Sequence, residues 1–387
     1  MSENRVASNR IDTDFIISCA VFIQSPLIIL QHVLIDVLGM SPDSTTSYRV
    51  VLTAVPMLLA IFLSMHRKPR LFIISYSVTA ILLLATMVFF PQNTPYVFSE
   101  GSRFLLPVVL PSALCLASVY KLDSAEKALI TMSWIAALLA LVYKIAYLSG
   151  HSVFDSYNMS FTYGCLLPMI ALYYKKKPLS IAVSLILLLT VIAIGSRGAA
   201  IVFAVYILAD AFISRSRSAL LVIVAVLCIL FILPSFSSWL SSFGISSRTI
   251  SLYSEGELLS YDAGRGEIYK AFSFDSVEHP LIGIGLYGDR YYTGGGYCHN
   301  VLLEICIDFG FVVGPLLMLF LVLCFAHLYF NVSMDKKRLL LKYLCFGLMP
   351  LMASGSYLQS PYLSVLIGMS CLINNKRRYS YNEISNG

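Results

Sequence analysis

Three short segments hold the residue types that could do chemistry. The run Gly294-Gly295-Gly296-Tyr297-Cys298-His299-Asn300 leads into Leu303, Glu304, Asp308 and Gly310. Histidine titrates near pH 6.5, so His299 is a candidate general base at neutral pH. Glu304 and Asp308 are one helical turn apart at the mouth of an apolar stretch, where ionisable groups are costly and commonly functional. The segment Gly195-Ser196-Arg197-Gly198 sits between two apolar runs with almost no loop. A guanidinium there could clamp a phosphate bidentately, and flanking glycines allow close approach. The third segment, Gly264-Arg265-Gly266-Glu267-Ile268-Tyr269-Lys270-Ala271-Phe272, precedes His279-Pro280-Leu281-Ile282-Gly283-Ile284-Gly285. Ile268, Phe272 and Val277 read as one face of a short surface helix. Arg265 at its start would add its charge to the helix dipole, a natural anion site.

Each segment has an ordinary alternative. Arg197 could be an interfacial arginine snorkelling at a tight turn, Arg265 a solvated loop residue, and His299 polar surface. Taken together, two arginines and a histidine at one membrane interface suit a lipid-linked diphosphate. Arg197 and Arg265 would hold the departing diphosphate and His299 would take a proton from an attacking hydroxyl. Their positive charge would also depress the histidine pKa and keep it able to accept. Seven tyrosines (Tyr253, Tyr261, Tyr269, Tyr287, Tyr291, Tyr292 and Tyr297) crowd the same region. They suit either sugar stacking or ordinary interfacial anchoring.

The elements that must position these groups are membrane helices. Apolar residues make up 58% of the chain and charged residues 12%. Apolar runs near twenty residues recur from end to end, each long enough for a hydrocarbon core of ~30 Å. Breaks between them predict twelve spans, near 15–38, 49–65, 71–90, 104–120, 127–148, 158–174, 179–194, 198–213, 219–240, 299–330, 341–355 and 361–373. Gly310, Gly314 and Pro315 predict that the tenth span is kinked or begins above the bilayer. The N-terminal segment, with Arg5 and Arg10 mixed among acids and no cleavage site, reads as uncleaved.

Basic residues orient the bundle. With both ends cytoplasmic, 19 of the 27 lysines and arginines fall in cytoplasmic segments, as the positive-inside rule requires. The remainder are Arg49, Arg103, Lys144, Arg197, Arg248, Arg265, Lys270 and Arg290. The net charge of +6 is therefore topological, not a nucleic-acid footprint. The expected organisation is an N-terminal transmembrane bundle of about nine helices over 1–240 and a periplasmic loop with short surface helices over 241–298. C-terminal spans and a basic cytoplasmic tail occupy 299–387. Cysteines lie inside spans except Cys298, with no pairing pattern for disulfide or metal. The polar mass is lopsided and no internal repeat is visible, which weighs against a transporter built from matched halves.

The Ser196-Arg197-Gly198 turn, Gly264-Arg265, His279-Pro280-Leu281-Ile282-Gly283-Ile284-Gly285 and His299-Asn300-Val301-Leu302-Leu303-Glu304 with Gly310 resemble the O-antigen ligase and polymerase (Wzy/WaaL) superfamily. The resemblance implies an all-α, GT-C-like glycosyltransferase of about twelve spans with one large periplasmic loop. It would sit in the bacterial inner (cytoplasmic) membrane with a periplasmic active site. It implies undecaprenyl-pyrophosphate-linked glycans as donor and acceptor, inversion at the anomeric carbon, and no metal, nucleotide sugar or other cofactor. Arg197 and Arg265 would bind the pyrophosphate and His299 would be the base, with Tyr297, Asn300 and Glu304 as supporting residues. A chain-length regulator is a candidate partner. The external loop is short for the ligase branch, which must also bind lipid A–core, so the polymerase is favoured. The alternatives are the ligase and a lipid-linked oligosaccharide flippase.

Overall fold

The computed structural model describes residues 12–148, 159–194, 197–214, 265–272 and 277–374. Among them every regular element is helical. The spans are α1 (Thr13–Val37), α2 (Pro42–Arg67), α3 (Pro69–Phe89), α4 (Pro91–Ser118) and α5 (Leu122–Leu148). Shorter apolar helices follow: α6 (Met159–Tyr174), α7 (Pro178–Ala193) and α8 (Arg197–Ile213). Two short helices, α9 (Arg265–Ala271) and α10 (Gly288–Thr293), precede the long α11 (Val301–Asn331). The chain continues through α12 (Met334–Gly347), α13 (Met349–Ala353) and α14 (Tyr362–Asn374).

Six helices are long and apolar enough to cross a membrane, and four more are shorter but apolar. This is an all-α polytopic membrane protein. Eleven of the twelve expected spans coincide with described helices, the eleventh divided between α12 and α13. The ninth, at 219–240, lies outside the described residues, as do 241–264 and 273–276 of the expected loop.

Local chemistry starts and stops these helices. Proline occupies the first turn of α2, α3, α4 and α7, where its missing N–H is no loss. Asp12 caps α1 by accepting from the Asp14 and Phe15 amides, and Ser41 caps α2 by accepting from Ser44. The core is the packing of α1, α5, α6, α8, α12 and α14 around residues such as Phe22, Phe161, Tyr206 and Tyr343. Helices α2, α3 and α11 give it only a few residues (Met57, Ala60, Phe72, Leu328) and turn much of their apolar surface outward, with Phe89 74% and Phe330 75% exposed. In hydrocarbon such apolar faces carry no penalty, because lipid tails are as apolar as the side chains.

Ion pairs join the basic connecting segments. Arg67 pairs with Asp14, Lys342 with Glu126, and Lys176 and Arg338 share Asp210. Arg49 lies on the same helix as Arg67 but eighteen residues earlier, roughly 27 Å away at the helical rise. The end of the bundle near Arg49 is thus distinct from the end these pairs close.

The expected kink in the tenth span is at Gly310, where φ is +85° and the helical hydrogen bonds of α11 are interrupted. The motif 279–285 fills the break. Ile284 donates to the Ile307 carbonyl at 2.9 Å, Gly285 to Asp308 at 3.2 Å, and Phe311 to Pro280 at 2.7 Å. Backbone packs on backbone here. A Cβ on Gly310 would come 2.1 Å from the Leu281 oxygen, and one on Gly283 2.5 Å from the Asp308 oxygen. Asn93 and Thr86 fasten the same strip: Asn93 donates to the Ile284 carbonyl at 2.7 Å, and Leu286 donates to the Thr86 hydroxyl.

Gly283 and Gly294 both have positive φ, but a Cβ at Gly294 meets nothing within 4 Å. Gly294→Ala should cost only the backbone strain, about 1–3 kcal/mol. Gly283→Ala should lose clearly more, read as the difference in thermal unfolding of the two variants in detergent. Equal losses would contradict the close docking of the strip.

Candidate functional site

The loop entering α11 is held by a buried charge cluster. Arg290, fully buried in α10, donates to Glu304 at 2.7 Å, to Glu100 at 3.2 Å and to Ser356 at 2.7 Å, and also pairs with Asp289. Glu304 in turn accepts from the Ser356 hydroxyl and the Tyr357 amide. Burial opposes the charge on Arg290, but Asp289, Glu304 and Glu100 more than offset it and hold the guanidinium protonated well above its ordinary range. Removing such an ion leaves its partners uncompensated, at about 3–5 kcal/mol. Arg290 thereby joins α4, α10, α11 and the loop after α13.

Asp289 extends this anchoring to the histidine. Its second oxygen accepts from the Cys298 amide at 2.9 Å, one residue before His299. Gly295 donates to the Arg290 carbonyl at 2.8 Å, closing the glycine turn. On the other side Asn300 caps α11, accepting from the Leu302 and Leu303 amides at 3.0 and 3.4 Å. His299 is pinned between these contacts with φ of +59°, in the left-handed region. A non-glycine residue there is strained and persists only where its surroundings enforce it.

His299 and Tyr297 project into a cavity of about 440 Å³. Their rings lie 4.4 Å apart, centre to centre. Opposing walls come from α1 (Gln24, Ser25), α2 (Arg49), α4 (Arg103), α6 (Ser160, Tyr163) and the loop before α14 (Ser354, Gln359). This is within the size range of small-ligand sites, and its lining mixes apolar depth with convergent polar groups. The buried Nδ1 of His299 has no hydrogen-bond partner among the described residues. Burial lowers the His299 pKa and the charge of Arg265 lowers it further, so the ring stays neutral and can accept a proton.

The structure therefore brings His299, Tyr297 and the charge of Arg265 together. Asn300 acts as a helix cap, and Glu304 is engaged with Arg290 and does not line the cavity. Arg197 begins α8, but its side chain and residues Gly195 and Ser196 lie outside the described residues. Gly198 itself abuts the cavity wall, since a Cβ there would come 2.1 Å from the Tyr163 hydroxyl. One local expectation needs correction: α9 ends at Ala271, so Val277 is not on the same helix as Ile268. Phe272 and Val277 instead pack with Ile284, Cys298 and Ile307 beyond the helix end. Gly264 lies outside the described residues.

Sequence reading missed three residues. Arg290 was counted as a loop charge, and Arg49 and Arg103 were noted only as basic residues off the cytoplasmic side. Their membership of that small minority was the available signal.

The environment of His299 makes a pH prediction. Its pKa should lie below 6.5, measured by NMR titration of labelled histidine in the full chain. Arg265→Gln removes a lowering influence, so the pKa should rise; an unchanged or lower value would contradict the proximity of the two charges.

Residues 182–318 match the family model described as Wzy_C, O-antigen ligase. The match spans α7, α8, α9, α10 and the first half of α11, and includes Arg197, Arg265, Arg290, His299 and Glu304. No curated protein and no solved structure matches the chain. The family match agrees with the motif resemblance over the same residues and supports membership of the O-antigen ligase and polymerase superfamily.

Proposed function

We propose that the chain polymerises undecaprenyl-pyrophosphate-linked oligosaccharide repeat units into O-antigen or capsular polysaccharide, at the periplasmic face of a bacterial inner membrane. The family match supports a glycosyltransferase-like enzyme of polysaccharide assembly acting on lipid-linked glycans. The observation that carries the reading is His299: a partly buried ring, its pKa lowered, with a nitrogen that has no partner among the described residues, on the wall of an amphipathic cavity.

In the proposed reaction a sugar hydroxyl of one lipid-linked unit attacks the anomeric carbon of the chain on a second carrier. The new C–O bond forms as the bond to the diphosphate oxygen breaks, and that oxygen takes the electron pair. The hydroxyl proton passes to His299. Direct displacement inverts the anomeric carbon. Arg265 and Arg197 are assigned to the departing diphosphate, whose developing charge they would stabilise. Tyr297 offers a ring face to sugar C–H groups. No step calls for a metal or a nucleotide. The short expected external loop favours the polymerase over the ligase, which would share this chemistry and differ in its acceptor.

His299→Gln and Arg265→Gln should leave the chain inserted but abolish long polysaccharide in cells. Loss of a positioned base predicts a rate fall of roughly 10²–10⁴-fold. Single repeat units should still reach lipid A–core. Their loss together with the long chains would favour the ligase, and normal ladders in both variants would remove His299 and Arg265 from the site.

A further inference from the structure

The cavity beside His299 contains two cations that neither the motifs nor the family match assigns. Arg49 on α2 and Arg103 on α4 both line it, and both lie outside the matched residues 182–318. No aspartate or glutamate is among the described lining residues, and no lysine. This contrasts with Arg67, Arg290 and Arg338, each of which faces a carboxylate. Arg49 and Arg103 form no ion pair among the described residues. Arg49 is half-buried and Arg103 exposed, so both guanidiniums are open to an anionic ligand. Two guanidiniums without a carboxylate form an anion site, and planar forks suit phosphate oxygens better than a point charge does.

The rest of the lining narrows the ligand. Gln24, Ser160 and Tyr163 add hydrogen-bonding groups, while Phe22, Ile28, Leu167 and Val365 supply apolar wall. A ligand filling this space is anionic in one part and hydrocarbon in another. A polyprenyl diphosphate has that character, and so does an anionic phospholipid. His299 on the same cavity favours the first, because the hydroxyl that the base deprotonates and the departing diphosphate must meet at one anomeric carbon.

We infer that Arg49 and Arg103 form a further binding pair for the substrate's lipid diphosphate, gripping it from α2 and α4 in the cavity that His299 faces. This rests on the reading of that cavity as the glycosyl-transfer site. The pair are substrate-binding residues supplied by the N-terminal half of the chain. The C-terminal half supplies the base. The active site is therefore composite, and the matched segment alone is incomplete.

The test is binding of undecaprenyl diphosphate to the full chain in nanodiscs, with turnover of lipid-linked repeat units measured alongside. Arg49→Gln and Arg103→Gln should each weaken binding about tenfold or more, as expected for loss of a charge-assisted hydrogen bond. His299→Gln should bind as the wild type does yet turn over poorly. Wild-type affinity in both glutamine variants would overturn the inference, whatever His299→Gln does. Displacement of the probe by phosphatidylglycerol at equal concentration would also overturn it, assigning the pair to bilayer headgroups. Full turnover by His299→Gln would instead overturn the catalytic reading on which the inference rests. If a glutamine variant fails to accumulate, Arg49→Lys and Arg103→Lys carry the test. Charge without the fork should cost roughly three- to tenfold, and undiminished affinity would count against the pair.

Discussion

A single buried guanidinium ties the site together. Arg290 has no exposure and faces Asp289, Glu304 and Glu100, so one positive charge is shared among three carboxylates from three elements. Burying ions is expensive, and breaking such a cluster costs more than never having built it. Its consequence here is geometric. The Glu304 carboxylate fixes the first turn of α11 and the loop after α13, Glu100 fixes α4, and Asp289 reaches the Cys298 amide. His299 follows immediately, with a backbone conformation that it would not adopt unaided. The cluster thus converts four separate elements into one support for a strained histidine.

The glycine strip performs a complementary task. A helix broken at Gly310 exposes carbonyls that hydrocarbon cannot solvate. The strip 279–285 satisfies them through Ile284 and Gly285, and Phe311 returns a donor to Pro280. That exchange explains why the motif needs glycine at 283 and 310, where any Cβ meets backbone. It also explains why two segments about thirty residues apart carry one resemblance: they are the two faces of one joint.

Much of the fold was legible because the lipid bilayer simplifies it. Apolar length between polar breaks located eleven of the expected spans, and Gly310 with Gly314 and Pro315 marked the kink. The candidate site was legible only where residue type implied chemistry. His299 and Arg265 stood out, and the structure puts their charges within reach of each other. Arg290 did not stand out, because a loop arginine in sequence carries no mark of burial. Arg49 and Arg103 are far from the motifs along the chain and share a cavity with His299 because α2 packs on α1 and α4, and α4 packs on α14. Asn300 and Glu304 were read for chemistry because they adjoin a histidine. Their hydrogen bonds show the structural reason for that adjacency, a cap and a clamp.

The central claim is that the lipid-linked glycan reacts in the cavity between Tyr163, Arg49 and His299. Photocrosslinking tests it most directly, using a lipid-linked repeat unit with a diazirine on the sugar nearest the diphosphate and mapping adducts by mass spectrometry on the intact chain. The account predicts adducts at cavity residues such as Ser160, Tyr163 and Gln359, suppressed by excess undecaprenyl diphosphate. Adducts confined to the lipid-facing surfaces of α3 and the far half of α11, with none in the cavity, would contradict it.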